Sequence, residues 1–187
     1  RQYATKGYLE KLIAQVFTGR ERFEPGNPQE GYSPSPQERQ SWLQISYMKE
    51  AYHTMGPKFT LGWMAEALYS SKNFSENYTA TMMQAGEFAP TPHSKLMYNE
   101  AFRANQYVAA GIKPIYVLND MFQFRTEFYG FTPIFPIKKN ALNKAYYGKA
   151  FSRFEYMGEV SVICHLPFGA ISAYVNHYSS PRREWNV

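Results

Sequence analysis

Apolar and polar residues alternate along seven segments of the chain, which predicts β-strands because successive side chains of a strand point to opposite faces. The clearest alternation runs over 58–70, where Trp63 lies on an apolar face and Glu66 on the other. The predicted strands are 2–18, 41–52, 58–70, 106–118, 121–131, 155–166 and 170–178, and a last strand begins at 185. The first of these segments also fits a short amphipathic helix, so the pattern leaves both structures open there.

The segment 121–131 indicates what each face of these strands contacts. Phe122 and Phe124 lie on one face, whereas Arg125 and Glu127 lie on the opposite face. An Arg or Lys that faces lipid at the middle of a bilayer costs about 2–4 kcal/mol. In a membrane the aromatic face would therefore contact lipid, and the charged face would line the interior. The alternative is that the aromatic side chains form an ordinary hydrophobic core.

The connections between the predicted strands alternate between long and short along the chain. The long connections are 19–40, 71–104 and 132–153, and the tight turns are 53–57, 119–120 and 167–169. All long connections therefore lie at one end of the sheet and all tight turns at the other, as in outer-membrane barrels, and strands of about 9–11 residues suffice to cross a bilayer. The sequence predicts an all-β fold, a partial antiparallel transmembrane β-barrel with about seven to eight strands over 1–187.

The amino-acid composition argues against some classes of protein and is compatible with a transmembrane β-barrel. The 187 residues have a formal net charge of +5 without a basic run, so nucleic-acid binding has little support. Their mean hydropathy of −0.49 is typical of a water-soluble protein, but membrane β-strands are half polar and escape that inference. The single cysteine, Cys164, excludes an internal disulfide and a thiolate metal cluster.

Both ends of the chain and its longest connection carry further expectations. Residue 1 is Arg rather than Met, and the last strand has only begun at 185, so we expect a fragment of a longer protein. The connection 71–104 contains Met82, Met83 and Phe88, more apolar side chains than a wholly exposed loop would keep. We expect this connection to pack inside the barrel as a plug, with contact to an external partner as the alternative.

Six short stretches resemble the C-terminal region of bacterial patatin-like phospholipases. They lie within the last two-thirds of the chain: YSSKNFS at 69–75, APTPHSK at 89–95, FRANQY at 102–107, EFYGF at 127–131, AYYGK at 145–149 and LPFGAIS at 166–172. In such proteins a patatin hydrolase domain and a small linking domain precede an outer-membrane barrel of the BamA and TamA superfamily. The resemblance implies that this chain is the C-terminal part of that barrel.

The resemblance also implies a structural pair in the barrel interior. Barrels of this superfamily have a long loop that folds into the lumen and carries an Arg-Gly pair, and Phe102-Arg103-Ala104 occupies the corresponding place, with Ala104 departing from glycine. Arg103 is then expected to pair with a carboxylate on the inner wall, because a buried guanidinium requires such a partner. Glu127 is the expected partner, and a solvated surface Arg103 is the alternative.

The function that the resemblance implies is that of an anchor or translocation domain in the bacterial outer membrane. The implied partners are outer-membrane lipid, the N-terminal patatin domain of the same parent chain, the barrel assembly machinery and a second copy of the chain. The parent would be a serine lipid acyl hydrolase. Translocation of a polypeptide rests on analogy of fold alone.

The chain itself carries no sign of catalysis. Hydrolysis of the patatin type requires a Gly-x-Ser-x-Gly elbow and an aspartate that activates the serine. The sequence lacks the elbow, and its one aspartate, Asp120, falls in a predicted hairpin turn, where turn chemistry explains it. The four histidines have no second ligand at a useful spacing, so neither a metal nor a cofactor is expected. We predict no catalytic residue in this chain.

A second hypothesis of another class explains the same alternation. In a soluble up-and-down β-barrel the aromatic faces would line a cavity for a hydrophobic ligand, and the charged faces would contact water. The two hypotheses assign opposite positions to Phe122 and Arg125, so the burial of these two side chains distinguishes them.

Overall fold

One antiparallel sheet dominates the computed structural model, which describes residues 4–21, 39–179 and 185–186. Eight strands follow one another in chain order across this sheet. They are β1 (Gly7–Arg20), β2 (Arg39–Thr54), β3 (Phe59–Ser70), β6 (Gln106–Val117), β7 (Phe122–Pro133), β10 (Glu155–Leu166), β11 (Gly169–Tyr178) and β12 (Trp185–Asn186). Each strand pairs with its neighbours in sequence, so the sheet is a simple meander.

The all-β prediction is confirmed, and each of the seven predicted strands is present with ends shifted by a few residues. The helix considered for the first segment is wrong, because β1 pairs with β2 along its whole length. This strand begins at Gly7, whose φ of 95° suits glycine and few other residues. Residues 2 and 3 of the predicted strand lie outside the described residues. Within those residues β1 and β12 are the two edges of the sheet, and no pairing joins them.

Short turns lie at one end of the sheet. The β2–β3 turn is closed by a bond from the amide of Met55 to the carbonyl of Phe59, 2.9 Å. In the β6–β7 turn the side chain of Asn119 accepts bonds from the amides of Met121 and Phe122, which is the turn chemistry that Asn commonly supplies. Asp120 is exposed in this turn. The predicted segregation of short and long connections is confirmed for the described residues.

The longest connection is a structured insert between β3 and β6. It contains helix α1 (Tyr78–Gln84), two short strands, β4 (Gly86–Glu87) and β5 (Arg103–Ala104), and two 3-10 turns at Ser94–Leu96 and Glu100–Phe102. Asn77 begins the helix, since its side chain accepts a bond from the amide of Ala80 at 2.8 Å. The connection between β7 and β10 contains a further strand pair, β8 (Ile137–Lys139) and β9 (Ala145–Tyr147).

The core lies between this insert and the inner face of the sheet. Phe88 stacks on Phe131 of β7 with 5.9 Å between ring centroids, and Phe102 lies 5.6 Å from the same ring. Tyr107 of β6 completes the cluster, 5.0 Å from Phe131. The insert therefore covers one face of the sheet and buries Met82 and Phe88, whereas Met83 is exposed.

Candidate functional site

The inner face of the sheet carries the ionised residues of its central strands. Strands β3, β6, β7, β10 and β11 contain six residues of the Asp, Glu, Lys and Arg types, and strand alternation places all six on the face that the insert covers. They are Glu66, Lys113, Arg125, Glu127, Glu155 and Glu159. The predicted sidedness of β7 is confirmed, because Arg125 is only 2% exposed whereas Phe124 is 40% exposed.

Two ion pairs join strand residues of this face, and Glu155 pairs with Arg153 of the preceding connection at 3.6 Å. Arg125 binds Glu127, which lies two residues further along the same strand, with Nε and a terminal nitrogen 3.0 and 2.9 Å from the same carboxylate oxygen. The other terminal nitrogen donates to the carbonyl of Ala4 at 2.9 Å. Lys113 of β6 pairs with Glu50 of β2 across the intervening strand. Both pairs are largely buried, so the loss of one partner would leave a buried charge without compensation.

Tyrosines complete the hydrogen bonding of three inner carboxylates. Tyr52 donates to Glu50 and Tyr129 donates to Glu127, in each case from two positions further along the strand. Within β2 and β7 the sequence contains this signal as Glu-x-Tyr, a spacing that places both side chains on one face of a strand. Sequence reasoning missed it. Tyr107 of β6 donates to Glu66 of β3 at 2.5 Å, and no spacing within one strand could have indicated that contact.

Two glycines provide the space in which these rings lie against the sheet. A Cβ atom on Gly111 would lie 2.2 Å from the ring of Tyr129 and 2.8 Å from a backbone oxygen. A Cβ atom on Gly62 would lie 2.7 Å from the ring of Tyr52 and 3.1 Å from Cβ of Lys113. Real atoms do not approach so closely, so each glycine is required by the tyrosine that crosses it.

The predicted pair between Arg103 and Glu127 is wrong. Arg103 binds Glu87 at 2.6 Å and donates to the carbonyls of Met83 and Ala85. Arg103 and Glu87 lie opposite each other in the β4–β5 ladder, so the insert itself supplies the carboxylate. Glu127 is meanwhile occupied by Arg125 and Tyr129.

Arg103 stabilises the insert rather than joining it to the wall. It lies over the ring of Tyr98, 4.7 Å from the centroid, in addition to its bonds within the insert. Burial raises the pKa of the Tyr98 phenol above its usual range. The alternative of a solvated Arg103 is also wrong, because its side chain is only 12% exposed.

A polar cavity of about 510 Å³ lies between the insert and the inner face. Five carboxylates and three bases line it. The carboxylates are those of Glu50, Glu66, Glu87, Glu127 and Glu159, and the bases are Lys95, Lys113 and Arg125. Apolar side chains, among them Met48 and Met64, form the rest of the wall. A space of this size and mixed lining suits a small organic ligand.

The other residues considered from the sequence lie apart from this cavity. His53 accepts a bond from Trp63 on the outer face at 3.3 Å, and His93 of the insert contacts the hydroxyl of Tyr174 at 2.8 Å. Cys164 is half-buried and unbridged. Among the residues that the structure describes, no three His, Cys, Asp or Glu side chains are grouped so that they could hold a metal ion.

Comparisons of this chain with protein-family models, with curated proteins and with solved structures find no match. Within 4–21, 39–179 and 185–186, no helix is both long and apolar enough to cross a membrane.

Proposed function

We propose that this chain forms part of the wall of an outer-membrane β-barrel and serves as the anchor or translocation domain of a patatin-like phospholipase. The observation that carries the proposal is the uncharged outer face of five successive strands. Between β3 and β11 no Asp, Glu, Lys or Arg points outward, although the same strands bear six such residues on the inner face. A protein surface in water has no physical reason to exclude charge in this way.

The outer face is also rich in large apolar side chains. Phe128 is 52% exposed, Ile112 is 50% exposed and Val162 is 45% exposed. Their strands are neighbours, so these side chains form one continuous band. Monomeric water-soluble proteins seldom expose apolar patches larger than a few hundred Å², and wider patches mark contact with a membrane or a partner.

Aromatic side chains lie near both ends of this band. Tyr69 and Tyr156 are exposed on the outer face toward the long connections. Tyr116 and Phe122 are exposed on the same face toward the short turns. Transmembrane barrels carry such girdles at the two bilayer interfaces, because an aromatic ring with a polar tip suits the boundary between headgroups and hydrocarbon.

Charged residues of the outer face lie on the first two strands. Arg20 and Arg39 are opposite each other beside the connection 19–40. Glu10 of β1 and Lys49 of β2 are directly opposite each other and form an ion pair at 3.4 Å, while Tyr47 donates to Glu10 at 2.7 Å. The pair lies three residues from the start of β1 at the short-turn end. The proposal places it at the headgroup level, where water and lipid headgroups solvate charge.

The proposal also requires that further strands close the barrel. Edge strands with unpaired backbone groups cannot lie in hydrocarbon, so β1 must pair with a further strand in a membrane. We propose that the parent protein supplies the remaining wall, that its patatin domain carries out the acyl hydrolysis, and that the barrel assembly machinery inserts the product. A second copy of the chain is a further candidate partner for the exposed edge.

The soluble barrel that binds a hydrophobic ligand has the opposite sidedness. It would require Phe122, Phe124 and Phe128 inside and Arg125 and Glu127 in water. In the structure these three aromatics are between 40% and 52% exposed, and the two charged residues are between 2% and 7% exposed. The observed burial therefore argues against that alternative.

Lipid quenching at two adjacent positions tests the proposal. The full chain is folded with phosphocholine vesicles and labelled at its single cysteine, Cys164, which lies on the outer face, with an environment-sensitive nitrobenzoxadiazole group. The matched control carries Cys164→Ser and His165→Cys, so the label moves by one residue to the inner face at the same depth. We expect lipids with spin-labelled acyl chains to quench the label at 164 strongly and the label at 165 weakly. Equal quenching at the two positions contradicts the proposal.

A further inference from the structure

The connection between β7 and β10 carries a concentrated positive charge. Residues 134–154 contain no Asp or Glu, and their basic residues carry a charge as large as the net charge of +5 of the whole chain. The basic residues are Lys138, Lys139, Lys144, Lys149 and Arg153. Arg153 pairs with Glu155 and donates to the carbonyl of Ala101, whereas all four lysines are exposed. Because like charges repel each other, a surface of this kind favours an anionic partner.

The strand pair β8–β9 fixes these lysines at the long-connection end of the sheet. Ile137 of β8 is 2% exposed and belongs to an apolar cluster with Met82 of helix α1. Of the four lysines, only Lys144 comes within ion-pair distance of an acid among the described residues, and that acid is Glu76 at 3.9 Å. The hairpin therefore holds its positive charge in a defined place and leaves most of it uncompensated.

Two of these lysines meet at Gly148, which follows β9. A Cβ atom on Gly148 would lie 2.8 Å from Cε of Lys138, so the side chain of Lys138 lies against the backbone at this glycine. Lys149 is the next residue in the chain. An anion that contacts both ammonium groups would offset their mutual repulsion.

The same connection returns to β10 along the outer face of the sheet. Thr132, which points outward from β7, donates to the carbonyl of Arg153 at 2.8 Å. Phe154 lies over Gly130 of the same face, since a Cβ atom on that glycine would be 3.0 Å from its ring. The side chain of Phe154 is 67% exposed and so extends the apolar band. Lys149 precedes Phe154 by only five residues, so the lysines begin where the apolar band ends.

We propose that the four lysines of this connection bind the phosphate headgroups of anionic lipids in the leaflet at the long-connection end. Clusters of lysine directly beside a membrane-spanning segment attract anionic lipid, and each ammonium group can donate three hydrogen bonds to phosphate oxygens. The continuity through Phe154 with the apolar band favours lipid over an acidic protein as the partner. The inference rests on the proposed function, because it requires the outer face to lie in lipid.

Fluorescence quenching by two spin-labelled lipids tests this inference. The full chain with Cys164→Ser and Ala150→Cys is folded in phosphocholine bicelles and labelled with a nitrobenzoxadiazole group at residue 150, which is exposed beside Lys149. The probes are phosphatidylglycerol and phosphatidylcholine, each spin-labelled at the top of the same acyl chain. Half-maximal quenching should need about fivefold less phosphatidylglycerol, the effect of one lysine near an anionic surface. The preference should nearly vanish in about 0.5 M salt, where the Debye length is about 4 Å.

Matched variants separate charge from the shape of the hairpin. Replacement of all four lysines by glutamine should abolish the preference for phosphatidylglycerol, whereas replacement of all four by arginine should preserve it. These side chains are exposed, so both variants should keep the circular dichroism spectrum of the unmodified chain. A label on the native Cys164, on the outer face of β10, should be quenched equally by the two lipids.

The two labelled positions distinguish failure of this inference from failure of the proposed function. The inference is overturned if the label at 150 shows no preference for phosphatidylglycerol, or if the glutamine variant keeps that preference. It is also overturned if both lipids quench the label at 164 and neither quenches the label at 150, a result that would indicate an acidic protein as the partner. If neither label is quenched, the proposed function fails as well.

Discussion

Strands β7 and β1 belong to one sheet, yet they differ in burial. Only in β7 do buried and exposed side chains alternate as the two faces of a strand would suggest. Along β7 exposed and buried residues follow each other almost without exception, whereas nearly every residue of β1 is exposed. The central strand has a neighbour on each side and the insert above it, while β1 has one neighbour and forms an edge. Leu12 and Val16 of β1 are 70% and 79% exposed although both are apolar.

This difference shows that the burial of one face of the sheet depends on a layer packed against it as well as on strand geometry. The pleat of a strand decides which side chains share a face, and a further layer decides whether that face is buried. Phe88 and Phe102 of the insert provide that layer over β6 and β7. Substitutions on the covered strands should therefore change stability far more than equivalent substitutions on β1.

The largest effect is expected for Arg125→Met on β7. This substitution leaves the buried carboxylate of Glu127 without its cation, and breaking a buried pair costs about 3–5 kcal/mol. Denaturant unfolding of the folded chain, followed by tryptophan fluorescence, measures the loss. The double variant Arg125→Met with Glu127→Gln removes the stranded charge as well, so it should recover much of the stability. If the single and double variants are equally unstable, the pair is not what stabilises β7.

The second effect concerns the close approach of Tyr129 to Gly111. Gly111→Ala would place Cβ 2.2 Å from the ring and 2.8 Å from a backbone oxygen, so the ring must move away from Glu127. We expect a loss of about 3 kcal/mol, the upper part of the usual range for overpacking. Gly158→Ala on β10 is the matched control, because its nearest neighbour would be 3.5 Å away. Equal midpoints for the two variants in the same unfolding experiment would contradict the close packing.

Part of this arrangement could be predicted from the sequence, for reasons that the same strands illustrate. Strand β7 was predictable because each residue's face follows from its position alone, as Phe124 and Arg125 show. The two-residue strands β4 and β5 are too short to carry a pattern, so the ladder that pairs Glu87 with Arg103 could not be seen. The error over Glu127 was avoidable, since Arg125 lies two positions away on the same face of one strand.

The smallest effect is expected on β1, where one residue type can be compared in both regions. Lys11 of β1 and Lys113 of β6 both lie on the inner face, but Lys11 is exposed whereas Lys113 is 5% exposed and paired with Glu50. Lys113→Gln should cost about 1–2 kcal/mol. This is less than the cost of losing Arg125, because the side chain of Glu50 is 19% exposed and keeps its bond from Tyr52. Lys11→Gln should change stability by less than about 0.5 kcal/mol, as surface substitutions usually do.

The two lysine variants distinguish the effect of burial under a further layer from the effect of removing one positive charge. Both substitutions remove one positive charge from the same face of the same sheet, so any general effect of net charge is common to both. A difference in the unfolding midpoint can therefore come only from the local surroundings of each lysine. If Lys11→Gln lowers stability as much as Lys113→Gln, then β1 is covered in the folded protein as β6 is, and a further strand or a second copy lies against its edge.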